Sequence, residues 1–272
     1  MPIATSNGRR LNYELQGNGD AVLMFASSLG TSLELWDRQT EALAPHFQVL
    51  RYDYRGHGRS FPSGEAASVA DFAADALAVM DAAGVGRAHF IGLSLGGMIG
   101  QHLALHAPGR LLSLTLCATA AYLPPPDAWE QRAANAVVQG MAPFIEISRG
   151  RWFTPHLLAS APDVAEGALA QLAHVDPASY AVACRVIRDF DLRSRVSEIR
   201  LPVQLIAGEQ DPSTPPAALE GLRAEIPGAT MTILSPAAHL LNLERPDEVS
   251  RLIASFARRH HPDQSAAQPA DA

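Results

Sequence analysis

One serine lies among four glycines in residues 90–100, a segment that is otherwise apolar. An apolar run ends just before Ser94 and a helix-like segment begins just after it, which predicts a sharp strand-to-helix turn at Gly92-Leu93-Ser94-Leu95-Gly96. Such a turn strains the serine backbone and projects its hydroxyl, and glycine at 92 and 96 avoids collisions with the neighbouring strand and helix. The pattern therefore predicts that Ser94 is a nucleophile.

A serine hydroxyl is a weak nucleophile at neutral pH and needs a histidine base that is oriented by a carboxylate. Where the serine lies on this kind of turn, the acid and then the histidine follow it at the ends of later strands. Asp211 and His239 each follow a predicted strand in that order. Glu209 is a rival acid, but it lies closer to the strand end, whereas Asp211 precedes a proline-rich loop that can direct it toward His239. We therefore predict Ser94, Asp211 and His239 as the catalytic residues.

Attack on an ester carbonyl creates an oxyanion, which backbone N–H groups can stabilise. The helix that begins at Leu95 directs free N–H groups and the positive end of its dipole toward Ser94. A second donor is expected from the loop after the first buried strand, residues 27–31. We predict the N–H groups of Leu29 and Leu95 as the oxyanion hole.

Other histidines have simpler interpretations. His57 lies in a loop at a strand end and could line the site, but a structural role in that loop is the simpler prediction. His102 and His106 have the i, i+4 spacing of metal ligands, yet no third ligand is evident. We interpret this pair as part of a solvated helix face and predict no metal site.

Alternating strand and helix patterns predict an α/β fold with a mostly parallel, doubly wound sheet of eight strands flanked by helices. Asn7-Gly8 is a hairpin turn signal that joins two antiparallel strands at the start of the chain. Residues 68–83 have the apolar spacing of a helix. The remaining strands are predicted at six apolar runs, which suit burial on both faces: residues 21–26, 48–52, 88–93, 112–118, 203–207 and 230–234.

Residues 120–198 interrupt this alternation. They contain a run of three prolines followed by several helical patterns and no convincing strand. We predict that they form a helical cap inserted into an α/β core of residues 1–119 and 199–259. Residues 260–272 are rich in Pro, Ala and polar residues and are predicted to be a disordered tail.

The bulk properties narrow the class of protein further. A chain of 272 residues with 47% hydrophobic residues and a net charge of −7 is typical of a soluble protein with one large domain, and its acidic balance argues against nucleic acid as a partner. The absence of a signal-like or membrane-spanning segment predicts a cytoplasmic location. Cys117 and Cys184 are predicted to be buried thiols.

The residues described above resemble the α/β-hydrolase superfamily. Ser28 to Thr31 with Trp36-Asp37 and the segment 49–58 are similar to the 3-oxoadipate enol-lactone hydrolases, the lactonases of the β-ketoadipate pathway. Tyr54, where a smaller residue is expected, and Ser27, where relatives often have asparagine, depart from that pattern. The resemblance spans about residues 8–258 and includes further segments at residues 151–155, 180–193 and 237–244.

The resemblance implies a carboxylic-ester hydrolase that opens the ring of 3-oxoadipate enol-lactone in aromatic catabolism, with no metal or organic cofactor, as a monomer or small homo-oligomer. Such a small-molecule substrate carries a carboxylate, so the cap should supply a cation beside apolar walls. We predict Trp129, Arg132 and Trp152 for this role, with Arg188 in reserve. The alternatives are a general small-ester or lactone esterase, a perhydrolase, or a non-catalytic ligand receptor on the same fold.

Overall fold

A computed structural model of the chain describes residues 2–262. The first two strands, β1 (Ile3–Ser6) and β2 (Arg9–Gln16), form the predicted antiparallel hairpin. Its turn residues Asn7 and Gly8 both have positive φ angles, 47° and 78°, as a two-residue hairpin turn requires.

The sheet has eight strands in the order β1-β2-β4-β3-β5-β6-β7-β8, and the pairings from β4 through β8 are parallel. This is the predicted α/β arrangement. Because the strands that precede the candidate residues run in the same direction, their carboxyl ends lie at one edge of the sheet. The other strands are β3 (Val22–Ala26), β4 (Gln48–Tyr52), β5 (Ala88–Leu93), β6 (Leu111–Cys117), β7 (Val203–Gly208) and β8 (Thr230–Leu234).

Within residues 2–262, six α-helices belong to the sheet-containing part of the chain. Helix α2 (Val69–Ala82) covers the predicted helical segment, and the Ser68 amide just before it donates to the Asp71 carboxylate in its first turn, at 2.8 Å. The six helices are α1 (Asp37–Leu43), α2 (Val69–Ala82), α3 (Leu95–His106), α9 (Pro216–Glu225), α10 (Leu241–Glu244) and α11 (Pro246–His260).

Five consecutive helices between β6 and β7 form the region predicted as a cap. The two ends of this insertion meet, because Tyr122 and Asp191 form an isolated antiparallel bridge and the Leu192 amide donates to the Ala121 carbonyl at 2.9 Å. The insertion thus leaves and rejoins the sheet at one place. Its helices are α4 (Pro126–Gln139), α5 (Ala142–Trp152), α6 (Pro155–Ser160), α7 (Pro162–Ala173) and α8 (Pro177–Asp189).

The structure differs from expectation in two places. Strand β8 is not buried on both faces: it is the edge strand of the sheet, and Ile233 is 48% exposed. Helix α11 includes His260, one residue inside the predicted tail, where the ring of His260 packs on Phe256 at 4.6 Å. The rest of that predicted tail from residue 263 onward lies outside the described residues.

Two further properties concern the chain as a whole. No helix within residues 2–262 combines the length and apolar character that crossing a lipid bilayer requires. Cys117 and Cys184 are free and buried, as predicted, and burial raises the pKa of each thiol to about 12. Both are therefore neutral thiols at physiological pH and poor nucleophiles.

Candidate active site

Ser94 occupies the turn between β5 and α3, with φ 56° and ψ −112°. A Cβ atom added to Gly92 would lie 2.2 Å from the Gly96 carbonyl oxygen, and one added to Gly96 would lie 2.2 Å from the Ala26 carbonyl oxygen. Both distances are far inside van der Waals contact. The glycines on either side of Ser94 are therefore required by the close approach of the helix start and of β3.

Asp211 and His239 meet at the ends of β7 and β8. The Asp211 Oδ2 atom lies 2.8 Å from the His239 Nδ1 atom, and both side chains are buried. Burial favours a raised pKa for the Asp211 carboxyl, but the charge of His239 and hydrogen bonds from His239 and Thr214 outweigh it, so the pKa is lowered. Asp211 is therefore an anion that can hold the imidazole with Nδ1 protonated and Nε2 free.

Thr214 is a site residue that the sequence reasoning missed. Its hydroxyl donates to Asp211 Oδ2 at 2.6 Å, and the amides of Ser213 and Thr214 donate to Oδ1 at 2.7 and 3.1 Å. The signal was present, since an aspartate followed by hydroxyl residues two and three positions later often forms such a turn. Glu209, the rival acid, is exposed and accepts a hydrogen bond from Ser235 instead.

A cavity of about 500 Å³ lies between the strand ends and the cap helices. Ser94 and His239 both line it, which places the predicted nucleophile and base at one site of a size typical for small ligands. Within the described residues, the Ser94 hydroxyl and the His239 imidazole are not hydrogen-bonded to each other. Such contacts are often long before substrate binds.

Two backbone N–H groups next to this cavity are free. Within residues 2–262, neither the Leu29 amide nor the Leu95 amide donates to a protein acceptor. Leu29 lines the cavity, and Leu95 directly follows Ser94 at the first position of α3. This geometry leaves both predicted donors available to an oxyanion.

The loop that carries Leu29 is fixed by its neighbours. The Ser27 carbonyl accepts from the Gly96 amide at 3.1 Å and from the Tyr54 hydroxyl at 2.7 Å. Ser27 and Tyr54, the two departures from the enol-lactone hydrolase pattern, are therefore bonded to each other. On the cap side, the Ser32 amide donates to the Gln171 side chain at 2.9 Å.

Arg132 brings a positive charge to the cavity. Its Nε atom donates to the Tyr180 hydroxyl at 2.7 Å, and its guanidinium lies 5.7, 5.2 and 5.5 Å from the ring centres of Trp129, Phe144 and Tyr180. Within residues 2–262, no carboxylate pairs with it. A partly buried guanidinium with aromatic neighbours and no counter-ion is a site for an anionic group.

The other predicted pocket residues fall into two groups. Trp129 and Trp152 line the same cavity as Arg132. Arg188 does not line it and is instead paired with Glu130 and Asp189. The structure therefore brings three of the four cap residues together with Ser94 and leaves the reserve arginine outside.

The remaining histidines are placed away from the cavity lining. His57 is fully buried, and its Nδ1 atom lies 3.1 Å from the Arg55 carbonyl oxygen. His102 and His106 stack at 4.0 Å, and no three potential metal-ligating His, Cys, Asp or Glu side chains converge anywhere within residues 2–262. These side chains have structural surroundings rather than a place in the candidate site.

The burial of His57 predicts acid sensitivity of the fold. Burial lowers the pKa of His57 to about 4, whereas an unfolded histidine titrates near pH ~6.5. The unfolded state therefore binds more protons between these two values, so stability falls as the pH drops from 6.5 toward 4. We expect the free energy of unfolding of the wild type to fall by up to roughly 3 kcal/mol more than that of His57→Gln over this range. Urea unfolding at several pH values measures the difference, and parallel curves for the two proteins would contradict it.

A family model described as alpha/beta hydrolase fold matches residues 21–246. The chain belongs to this α/β-hydrolase family. The 3-oxoadipate enol-lactonase 2 of Acinetobacter baylyi is 33% identical over 256 residues, which cover 94% of this chain and 96% of that protein. A putative carbamate hydrolase, RutD of Azorhizobium caulinodans, is also 33% identical, over 94% of this chain and 98% of its own.

A solved structure agrees with this assignment. The crystal structure of the enol-lactonase from Burkholderia xenovorans LB400 has a TM-score of 0.91 and 35% identity, and the match covers 94% of this chain and 100% of that chain. The two relatives named above are thus an enol-lactonase and a putative carbamate hydrolase, and their names specify two different substrates.

Proposed function

We propose that this α/β hydrolase opens the ring of 3-oxoadipate enol-lactone to give 3-oxoadipate. The observation that carries the proposal is Arg132, whose guanidinium has no carboxylate partner within residues 2–262 and which lies in the cavity that Ser94 and His239 also line. A lactone with a free carboxylate supplies both the scissile ester carbonyl and the missing anion. The enol-lactonase relatives support the same substrate.

In the first half of the proposed reaction, the Ser94 Oγ atom attacks the lactone carbonyl carbon while His239 Nε2 takes the hydroxyl proton. Asp211 holds the imidazole through Nδ1 and stabilises the imidazolium that forms. The N–H groups of Leu29 and Leu95 donate to the oxyanion of the tetrahedral intermediate. Collapse of this intermediate breaks the ring C–O bond and leaves an acyl-enzyme.

The second half of the reaction begins with the leaving oxygen, which belongs to an enol. The imidazolium returns its proton to this oxygen, and the enol then tautomerises to a ketone, which makes ring opening difficult to reverse. Water, deprotonated by His239, attacks the acyl carbon and releases Ser94. The product is a keto acid with two carboxylates, and no step requires a metal or an organic cofactor.

The cap provides selectivity in this proposal. Arg132 binds the carboxylate of the substrate, while Trp129 and Trp152 provide apolar walls for the ring. The guanidinium is oriented by the Tyr180 hydroxyl, which leaves its terminal nitrogens for the substrate. A charge-assisted hydrogen bond in such surroundings is stronger than one in water.

A second candidate function is carbamate hydrolysis, because RutD from Azorhizobium caulinodans is as similar in sequence as the enol-lactonase from Acinetobacter baylyi. A general esterase would use the same nucleophile and base. The general esterase makes a different prediction for Arg132, since a neutral small ester has no carboxylate for it to bind, whereas carbamate hydrolysis is distinguished by assaying a carbamate directly.

The test of the proposal is an Arg132→Ala variant assayed on two substrates. For 3-oxoadipate enol-lactone, we expect kcat/KM to fall by roughly 10- to 100-fold, mainly through KM, because a charge-assisted bond of about 1.5–3 kcal/mol is lost. For an uncharged aryl ester, kcat/KM should change by less than about threefold, since no carboxylate is involved. Steady-state kinetics on both substrates gives the ratio.

Two other arginines are the controls. Arg188→Ala removes a cap arginine that is already paired with Glu130 and Asp189, so kcat/KM for both substrates should stay at the wild-type value. Arg151→Ala removes an exposed arginine that also lines the cavity. Loss of lactone selectivity in the Arg151 variant, with normal kinetics in Arg132→Ala, would contradict the assignment of Arg132.

A further inference from the structure

The loop that carries His239 is fastened to the cap by a carboxylate that the reaction itself does not use. Glu244, the last residue of α10, accepts a hydrogen bond from the Ala238 amide at 2.7 Å. The same carboxylate accepts from the hydroxyl of Thr154 and from the Thr154 amide at 3.3 Å. One side chain thus joins the residue before His239 to a residue of the cap.

Other hydrogen bonds also join the histidine loop to the cap or order the cap residues that it contacts. The Leu240 amide, just after His239, donates to the Trp152 carbonyl at 3.0 Å. The Thr154 hydroxyl also accepts from the Leu157 amide at 3.2 Å, so it caps α6 while it donates to Glu244. The residues on both sides of His239 are therefore bonded to the cap segment that includes Trp152 and Thr154.

The third contact of the loop is with the acid. The Ala237 carbonyl accepts from the Gln210 amide at 2.9 Å, next to Asp211. Asp211 itself holds the His239 ring through Nδ1 and so restricts the orientation of the ring. The distance between the histidine loop and Ser94 then depends on the backbone contacts of the loop. This distance decides whether His239 can accept the Ser94 proton, because the two side chains are not hydrogen-bonded within the described residues.

We propose that Glu244 is a positioning residue, which sets the distance of His239 from Ser94 by fastening the histidine loop to the Trp152–Thr154 segment of the cap. The donors that meet at Glu244 explain why a carboxylate stands there. Two amides and one hydroxyl all present hydrogens, and a carboxylate offers only acceptors. Because Trp152 lines the cavity, these hydrogen bonds connect the cavity wall to the loop that carries His239.

This inference rests on the proposed role of His239 as the base, and its test uses a substrate that is independent of the lactone. We would measure p-nitrophenyl acetate hydrolysis and divide kcat by the concentration of active sites titrated with a serine-directed phosphonate. The division removes the effect of misfolded protein, so a purely structural role for Glu244 would leave kcat per active site unchanged.

We expect Glu244→Ala to lower kcat per titrated site by about 10- to 100-fold with little change in KM. Glu244→Gln keeps an oxygen that can accept from Ala238 but turns an NH₂ group toward Thr154, so its kcat per site should lie between those of Glu244→Ala and the wild type. Thr154→Val removes the cap hydroxyl but keeps the Thr154 amide position, and should lower kcat per site by about 3- to 10-fold.

Glu220→Gln is the matched control, since Glu220 pairs with Arg223 three residues later in α9 and makes no bond to the histidine loop within the described residues. Its kcat per site should equal that of the wild type. A normal kcat per site in Glu244→Ala, with only a lower melting temperature, would overturn the positioning role and leave the proposed function intact. Ester hydrolysis at the wild-type rate in His239→Ala would overturn the proposed function and this inference together.

Discussion

Replacing Ser94 with alanine should lower kcat for every ester or lactone substrate by roughly 10⁴-fold or more, because the change removes the attacking oxygen of the proposed mechanism. The fold should survive the change. Within the described residues the Ser94 hydroxyl makes no hydrogen bond, and alanine keeps the Cβ atom at this strained position. Steady-state kinetics and a melting curve for the purified variant measure the two effects.

Phosphonate labelling checks that the loss is a loss of the nucleophile. The wild type should be labelled at Ser94, and Ser94→Ala should not be labelled. Ser213→Ala is the matched control, because Ser213 also lines the cavity, where its backbone amide rather than its hydroxyl donates to Asp211. Unchanged hydrolysis in Ser94→Ala would exclude Ser94 as the nucleophile. A wild type that neither hydrolyses these substrates nor takes the label would instead favour the non-catalytic ligand receptor.

Replacing Asp211 with asparagine should lower kcat by about 10⁴-fold while the fold is retained. The amide has nearly the shape of the carboxylate, but its NH₂ group can face His239 Nδ1 and favour the tautomer with the proton on Nε2. An imidazole in that tautomer cannot accept the proton of Ser94. The lowered pKa of Asp211 supports this view, since the wild-type carboxyl remains charged below the pH range of an ordinary aspartate.

The controls for Asp211 are Glu209 and Thr214. Glu209→Gln changes an exposed carboxylate that is bonded to Ser235 and should retain wild-type activity. Thr214→Val removes one of the donors to Asp211 and should lower kcat by about tenfold. Full activity in Asp211→Asn, or a large loss in Glu209→Gln, would show that the acid has been assigned to the wrong residue.

The sequence predicted the turn at Ser94 and the strand ends before Asp211 and His239, because their signals lie in neighbouring residues. The turn at Ser94 is dictated by glycines at 92 and 96, whose Cβ atoms have no room, and the apolar runs before Asp211 and His239 mark the ends of parallel strands. Parallel strands place their carboxyl ends together, so residues far apart in the chain could be assigned to one site without knowing any contact.

The sequence did not predict features that depend on contacts between distant parts of the chain. Arg132 and Arg188 are both helical arginines. The neighbouring Asp189 is a local partner for Arg188, but only the packing of α4 against α8 brings Glu130 to it, and Arg132 has no carboxylate partner within residues 2–262. Glu244 was similarly hidden, since its partners are 6 and 90 positions away in the chain. The exposure of β8 follows from its place at the sheet edge, which strand composition does not reveal.

We propose that this α/β hydrolase combines a serine nucleophile with a cap that selects a carboxylate-bearing lactone. The most direct test follows the loss of absorbance of 3-oxoadipate enol-lactone with purified wild-type protein, alongside a panel of simple aryl esters. We predict rapid, Ser94-dependent loss of the lactone and weak turnover of the esters. Rapid ester turnover with no lactone hydrolysis would contradict the claim, while the serine mechanism would remain.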